Sequence, residues 1–170
     1  MYKIILVGYM GSGKTTIAKA LSTHLSIPYF DLDRLIEEEI GIDIPQIFAQ
    51  KGEIWFRKKE HEVLKRFILE NDNFILSLGG GTPCYAGNHL ILQEKNIFSF
   101  YLKAKVSTLT NRLENEKDHR PLLQNIETDL STFIGQHLFE RIPFYNFAKH
   151  KINIDEKSVN EISKEVIDKI

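Results

Sequence analysis

The sequence predicts an α/β fold in which helices wrap a parallel sheet, and three observations carry that expectation. Short β-rich runs alternate with longer stretches of helical periodicity, the pattern of strands joined by crossover helices. The first run, residues 4–7, is apolar throughout, as suits a central strand buried on both faces. A glycine-rich turn, residues 8–13, then joins that strand directly to the first helical stretch.

Strands are expected at 3–7, 28–32, 74–78, 97–102 and 151–154. The first helix, 14–25, gathers Ile17, Ala18, Leu21 and Leu25 on one side. A second, 52–70, carries Val63, Leu64, Phe67 and Ile68. Two more are expected at 105–113 and 129–139. Ser158 and Glu161 have capping-box spacing before a last helix marked by Ile162, Val166 and Ile167.

At 170 residues the chain is long enough for one domain, 1–170, with a full core. Its hydrophobic share of 42% and charged share of 26% are ordinary for a globular protein, and no repeat or low-complexity linker divides it. The formal net charge of −1 gives no global pull toward nucleic acid or acidic membranes, so neither is an expected partner. Any anion site must be built locally. A single cysteine, Cys84, allows no intrachain disulfide and fits a reducing compartment. The run 4–7 is too short for a leader core or a membrane span, so a cytoplasmic protein is expected.

Ligands of such sheets bind beyond the carboxyl ends of the strands, which directs attention to the residues after Val7, Leu32 and Leu78. After the first strand stands GYMGSGKTT, which fits GxxxxGK[ST]. Its glycines let successive N–H groups face one anion, and the helix beginning near Lys14 turns its positive end toward the same place. Gly11, Ser12, Gly13, Lys14, Thr15 and Thr16 are the expected phosphate-binding set. Lys14 would reach the β- and γ-phosphates, and the Thr15 hydroxyl would bind Mg²⁺. A guanine-specific reading fails. Asn115, Glu116, Lys117 and Asp118 only share the composition of NKxD, with the lysine one place late and no strand before it.

After the second strand come Asp31 and Asp33, whose spacing of two would place both carboxylates on one face of an extended chain. One would hold Mg²⁺ through water, and the other would accept the proton of an attacking hydroxyl. The competing reading makes Asp33 the cap of a helix starting at Arg34. After the third strand, Gly79, Gly80 and Gly81 offer side-chain-free N–H groups and close approach.

Farther on, Arg57 and Glu60 share a helical face at i, i+3, so Glu60 would hold the guanidinium in one orientation for gripping a carboxylate. A surface ion pair of little consequence is the alternative. Arg120 follows a polar stretch that reads as a lid, and Arg141 lies near a helix end; either would suit the charge of a moving phosphoryl group, the alternative for each being a solvated basic residue. The six histidines show no metal-ligand spacing. They and Cys84 are assigned to solvated or packing roles.

Taken in order, GYMGSGKTT, FDLD, GEIWFRKKE, LGGG, HRPLL and ERIPFY resemble the shikimate kinase family along nearly the whole chain. The resemblance implies a three-layer P-loop kinase fold, with five parallel strands, the P-loop strand central, and a mobile lid near 112–124. It implies ATP and Mg²⁺, with shikimate as acceptor. By position, Asp31 belongs near the metal through water, and Asp33 is the base that contacts the shikimate hydroxyls. Arg57 and Arg141 grip the carboxylate, Gly80 and Gly81 add backbone contacts, and Phe48 and Phe56 line the apolar side. Together with Glu60 these fall largely in an acceptor segment, 33–62. Arg120 would meet the transferring phosphate and Arg112 the adenine. A monomer is expected. The alternatives are a gluconate or nucleoside monophosphate kinase on the same fold, and a non-catalytic relative that binds shikimate-like ligands.

Overall fold

Side chains alternate along the first strand, and that alternation divides the core. Ile4 and Leu6 point into one apolar layer and Ile5 and Val7 into the other, all at most 1% exposed. The computed structural model describes residues 1–114 and 128–170. Within them the chain runs β1 (Lys3–Val7), α1 (Lys14–Leu25), β2 (Tyr29–Asp31), α2 (Leu32–Ile40), α3 (Ile44–Lys51), α4 (Glu53–Glu70) and β3 (Phe74–Ser77). Two 3₁₀ turns follow, Thr82–Cys84 and Asn88–Gln93. The chain continues as β4 (Ile97–Lys103), α5 (Val106–Glu114), α6 (Leu130–Tyr145), β5 (His150–Asn153) and α7 (Val159–Ile167).

The five strands form one sheet in the order β2-β3-β1-β4-β5, every pairing parallel, so the P-loop strand is central as expected. One face packs Ile4, Leu6, Ile75, Phe100 and Ile152 against Ile17, Ala18 and Leu21 of α1 and Ile162 and Val166 of α7. The other packs Ile5, Val7, Leu76 and Tyr101 against Ile36, Ile47, Leu64, Leu109 and Ile134 of α2 to α6. Each fully buried aliphatic side chain contributes about 1.5–3 kcal/mol, which holds three layers together without disulfides.

Two expectations need correction. Asp31, Leu32 and Asp33 do not form one extended run. The strand ends at Asp31, helix α2 begins at Leu32, and the cap is Asp31, whose Oδ1 accepts the Asp33 N–H at 3.1 Å. The capping role that competes for Asp33 therefore belongs to its neighbour. The fourth expected helix also runs on, past 139 to Tyr145 and through Pro143. Helix α3 is an addition to the expected elements; Asp43 caps it by accepting the Gln46 N–H at 2.8 Å. The Ser158–Glu161 capping box is formed as expected.

Candidate active site

The P-loop leaves β1 and turns back into α1 through Gly13, whose φ of +86° at the helix N-cap is a left-handed conformation that glycine adopts without strain. Lys14 arches over the loop, its Nζ donating to the carbonyls of Gly8 (2.8 Å) and Tyr9 (3.1 Å). The Ser12 N–H closes a turn on Tyr9 O at 3.1 Å. Its buried side chain lies under the loop, where a Cβ on Gly8 would stand 2.8 Å from Ser12 Oγ. Arg112 comes from α5 and donates to Gly11 O at 3.0 Å, so it braces the cradle. Thr16 lies in the first turn of α1.

Thr15 Oγ1 donates to Asp31 Oδ2 at 3.4 Å. One hydroxyl and one carboxylate side by side are the sparse oxygen set that Mg²⁺ takes when phosphates and waters complete its shell. Among the described residues no three His, Cys, Asp or Glu side chains converge as a metal cage. The donor set thus fits a nucleotide-borne Mg²⁺.

Four elements meet at the triglycine turn after β3, and each of its glycines is the floor under one charged group. A Cβ on Gly79 would lie 3.0 Å from Asp33 Oδ1 of α2. One on Gly80 would lie 3.3 Å from Arg141 Nη1 of α6, and one on Gly81 only 2.9 Å from Arg57 Nη2 of α4. The same point over Gly80 is 3.6 Å from Gly8 O and Met10 N, so this turn abuts the P-loop. Any side chain here would push a charged group away, which is why three glycines stand in a row.

Arg57 is no surface pair. Its Nη1 donates to Glu60 Oε2 at 3.0 Å, with side-chain exposures of 18% and 1%. Burial opposes the Arg57 charge, but Glu60, helped by Tyr85 and Glu53, raises its pKa nonetheless. The guanidinium lies over the Tyr85 ring at 4.2 Å and beside Phe56 at 5.2 Å. Phe48 and Phe56 pack together at 4.7 Å. Arg141 lies over the ring of Tyr9 at 5.4 Å.

Asp33 sits among these charges. Burial raises its pKa to about 7, with Asp31, Glu60 and Glu37 pushing the same way and Lys14 opposing. A carboxylate that exchanges its proton near neutrality is poised to serve as a base.

Several participants carry no mark in the sequence that singles them out. Tyr145, fully buried, donates to Gly80 O at 2.6 Å and anchors the turn. His137 lies one helical turn before Arg141, and its Nδ1 meets Tyr9 OH at 3.1 Å. Its i, i+4 spacing to Arg141 is the only available signal. Thr82 follows the glycines and bonds Glu60. Arg120 and most of the expected lid lie outside the described residues, as does the segment 115–118.

A phosphate cradle at the centre of a parallel sheet, with a buried carboxylate and two arginines converging on a glycine floor beside it, defines a P-loop phosphotransferase for a small anionic acceptor. The family model described as shikimate kinase matches residues 10–170. The chain is 53% identical to a shikimate kinase of Flavobacterium psychrophilum over 167 residues, covering 98% of this chain and 97% of that one. It is 48% identical to a shikimate kinase of Flavobacterium johnsoniae, with 99% and 98% covered. The crystal structure of shikimate kinase from Bacteroides thetaiotaomicron superposes with a TM-score of 0.90 at 34% identity, covering 98% and 97% of the two chains. Shikimate kinase from Acinetobacter baumannii in complex with shikimate gives 0.87 at 30% identity, covering 98% and 91%. A gluconokinase from Sinorhizobium meliloti gives 0.60 at 14% identity, a likeness of fold alone. The chain belongs to the shikimate kinase family.

Proposed function

We propose that this protein transfers the γ-phosphate of ATP to a ring hydroxyl of shikimate, giving shikimate 3-phosphate. The observation that carries the reading is the convergence of Asp33, Arg57 and Arg141 on Gly79, Gly80 and Gly81, against the P-loop. Two guanidinium groups match one carboxylate, and a bidentate fork fixes its plane as well as its position. With the carboxylate held by Arg57 and Arg141, a ring hydroxyl is aimed past Asp33 at the γ-phosphate. Asp33 orients that hydroxyl and accepts its proton late, because the transition state is loose and little proton transfer is needed early.

The backbone N–H groups of the P-loop and the Lys14 ammonium hold the β- and γ-phosphates in line. Thr15 would hold Mg²⁺ directly and Asp31 through water, and the ion would supply neutralising charge for the phosphates. Arg120 would add a cation as its segment closes, and Arg112 would flank the adenine. Phe48 and Phe56 exclude water from the acceptor's apolar edge, which disfavours ATP hydrolysis.

A monomer is part of the same reading, and ATP as co-substrate supports a cytoplasmic location. No helix among the described residues is long and apolar enough to cross a membrane. A coupled assay of ADP release with shikimate, gluconate and AMP as rival acceptors tests the reading. Turnover with shikimate alone is expected. Comparable turnover with gluconate or AMP overturns the acceptor assignment. Binding of ATP and shikimate without ADP release makes the chain a binding relative instead.

A further inference from the structure

Arg57 is contested between two carboxylates. Glu60 holds Nη1 from the inside at 3.0 Å, and Glu53, 54% exposed, draws on Nε and Nη2 from the outside at 3.5 Å. Tyr85 OH steadies Glu53 at 3.2 Å. Arg57 supports an acceptor carboxylate beside Gly81 only when Glu60 wins. An exposed pair is weak and screened. A buried carboxylate is a strong partner only if its remaining lone pairs are satisfied.

Thr82 meets the carboxylate oxygen that Arg57 does not bond. Its Oγ1 donates to Glu60 Oε1 at 2.6 Å, and Thr82 is 0% exposed. The backbone of Thr82 is already fixed without that hydroxyl. Its N–H donates to Gly79 O at 3.1 Å, and its carbonyl accepts Asn88 Nδ2 at 3.0 Å. Asn88, also 0% exposed, is bonded in turn by His61 at 2.6 Å, the residue after Glu60 on α4. The turn and the helix are thus clamped beside the pair, so the Thr82 hydroxyl is left to set the rotation of the Glu60 carboxylate.

We infer that Thr82 is a positioning residue of the acceptor site, acting through Glu60 to hold Arg57 over the triglycine turn. This rests on the reading of Arg57 as the acceptor's carboxylate anchor. Thr82→Val keeps the branched shape and deletes the donor, leaving a buried acceptor atom unmet. Loss of one such bond corresponds to roughly a tenfold weakening.

The expected result is a rise of roughly tenfold in the KM for shikimate, with the KM for ATP unchanged and kcat within about threefold. Thr82→Ser, which restores the hydroxyl, should return the KM to within about threefold of wild type. In a Glu60→Ala background Thr82→Val should add nothing, since its route to Arg57 is gone. An unchanged shikimate KM in Thr82→Val overturns the inference. So does an equal effect in both backgrounds, which marks a merely structural residue. If Thr82→Val does not fold, Thr82→Ala measured in the same two backgrounds decides between the same outcomes. Arg57→Ala, assayed alongside, separates the two readings. A large KM effect there with none at Thr82 rejects only the inference, whereas no effect in Arg57→Ala rejects the anchor itself.

Discussion

The two halves of the site are built in opposite ways. The phosphate half is nearly one contiguous segment, β1 to the first turn of α1, whose proposed working groups are backbone N–H groups, one lysine and one threonine. The acceptor half draws Asp33 from α2, Arg57 from α4 and Arg141 from α6, and assembles them over a turn after β3. A contiguous cradle is specified by local geometry and tolerates change elsewhere. A convergent pocket depends on every element that delivers a group to it. Substitutions in the first half should therefore cost kcat, and those at Arg57 and Arg141 in the second should cost acceptor affinity.

The largest effect is expected in the cradle. Lys14→Met removes the cation proposed to meet the γ-phosphate while keeping a stem of similar shape. Loss of one preorganised donor to developing charge typically costs 10²–10³-fold, and a charged one sits at the upper end. The expected fall in kcat is roughly 10³-fold in a protein whose thermal melt still shows one cooperative transition. Residual turnover above about a tenth of wild type would break the assignment.

Asp33→Asn comes next, because Asp33 stands where the halves touch. The amide keeps the shape but accepts no proton, and base contributions run roughly 10²–10⁴-fold. A loose transition state asks little of a base, so the lower end, roughly 10²-fold in kcat, is expected, with ATP binding intact. A loss below about threefold would return Asp33 to a purely structural place in α2.

How far each half is legible in the sequence follows from the same contrast. The P-loop can be read because every residue it needs lies in nine consecutive positions. The β2–α2 boundary misleads because Asp31 is both the last strand residue and the helix cap, with no loop between to mark the change of period. The end of α6 misleads because Pro143 reads as a stop signal. The carbonyl its missing N–H would have bonded belongs to Phe139, which is 82% exposed and has water at hand. Arg57 and Glu60 are recognisable as a pair from their spacing, but burial decides whether such a pair matters, and burial comes from Thr82 and the turn, more than twenty residues on. Tyr145 and His137 act through a carbonyl and a phenol that no local pattern announces.

Arg57→Ala tests the convergent half directly. Truncating one partner of a buried charge pair costs about 2–5 kcal/mol, so the KM for shikimate should rise roughly 30-fold or more while that for ATP barely moves. Arg57→Lys should recover only part of the loss, since it keeps the charge without the fork. A KM within about twofold of wild type in Arg57→Ala would leave the acceptor half without its anchor.

The last effect is on stability rather than on turnover, and it asks whether the two halves are electrically joined. The Asp33 pKa stands near 7 in the folded protein and near 3.8 when the group is free. Between those values the folded state keeps a proton that the unfolded state has released, so the unfolded state binds fewer protons and stability falls as pH rises. Below about 4 both states are protonated and above about 7 both are ionised, and there the contribution is flat. Asp33→Asn cannot titrate. Its stability should therefore gain on wild type as pH climbs from about 5 to about 7, and then run parallel to it at higher pH, as read from urea unfolding at each pH. Lys14, from the phosphate half, pulls the Asp33 pKa down against burial, Asp31 and Glu60. Removing that cation in Lys14→Met should carry the slope to higher pH, and adding Asp33→Asn should abolish it. Parallel curves for wild type and Asp33→Asn from pH 5 to 8 would show a carboxylate ionised throughout. A slope unmoved by Lys14→Met would show the two halves to be neighbours in space without electrostatic coupling.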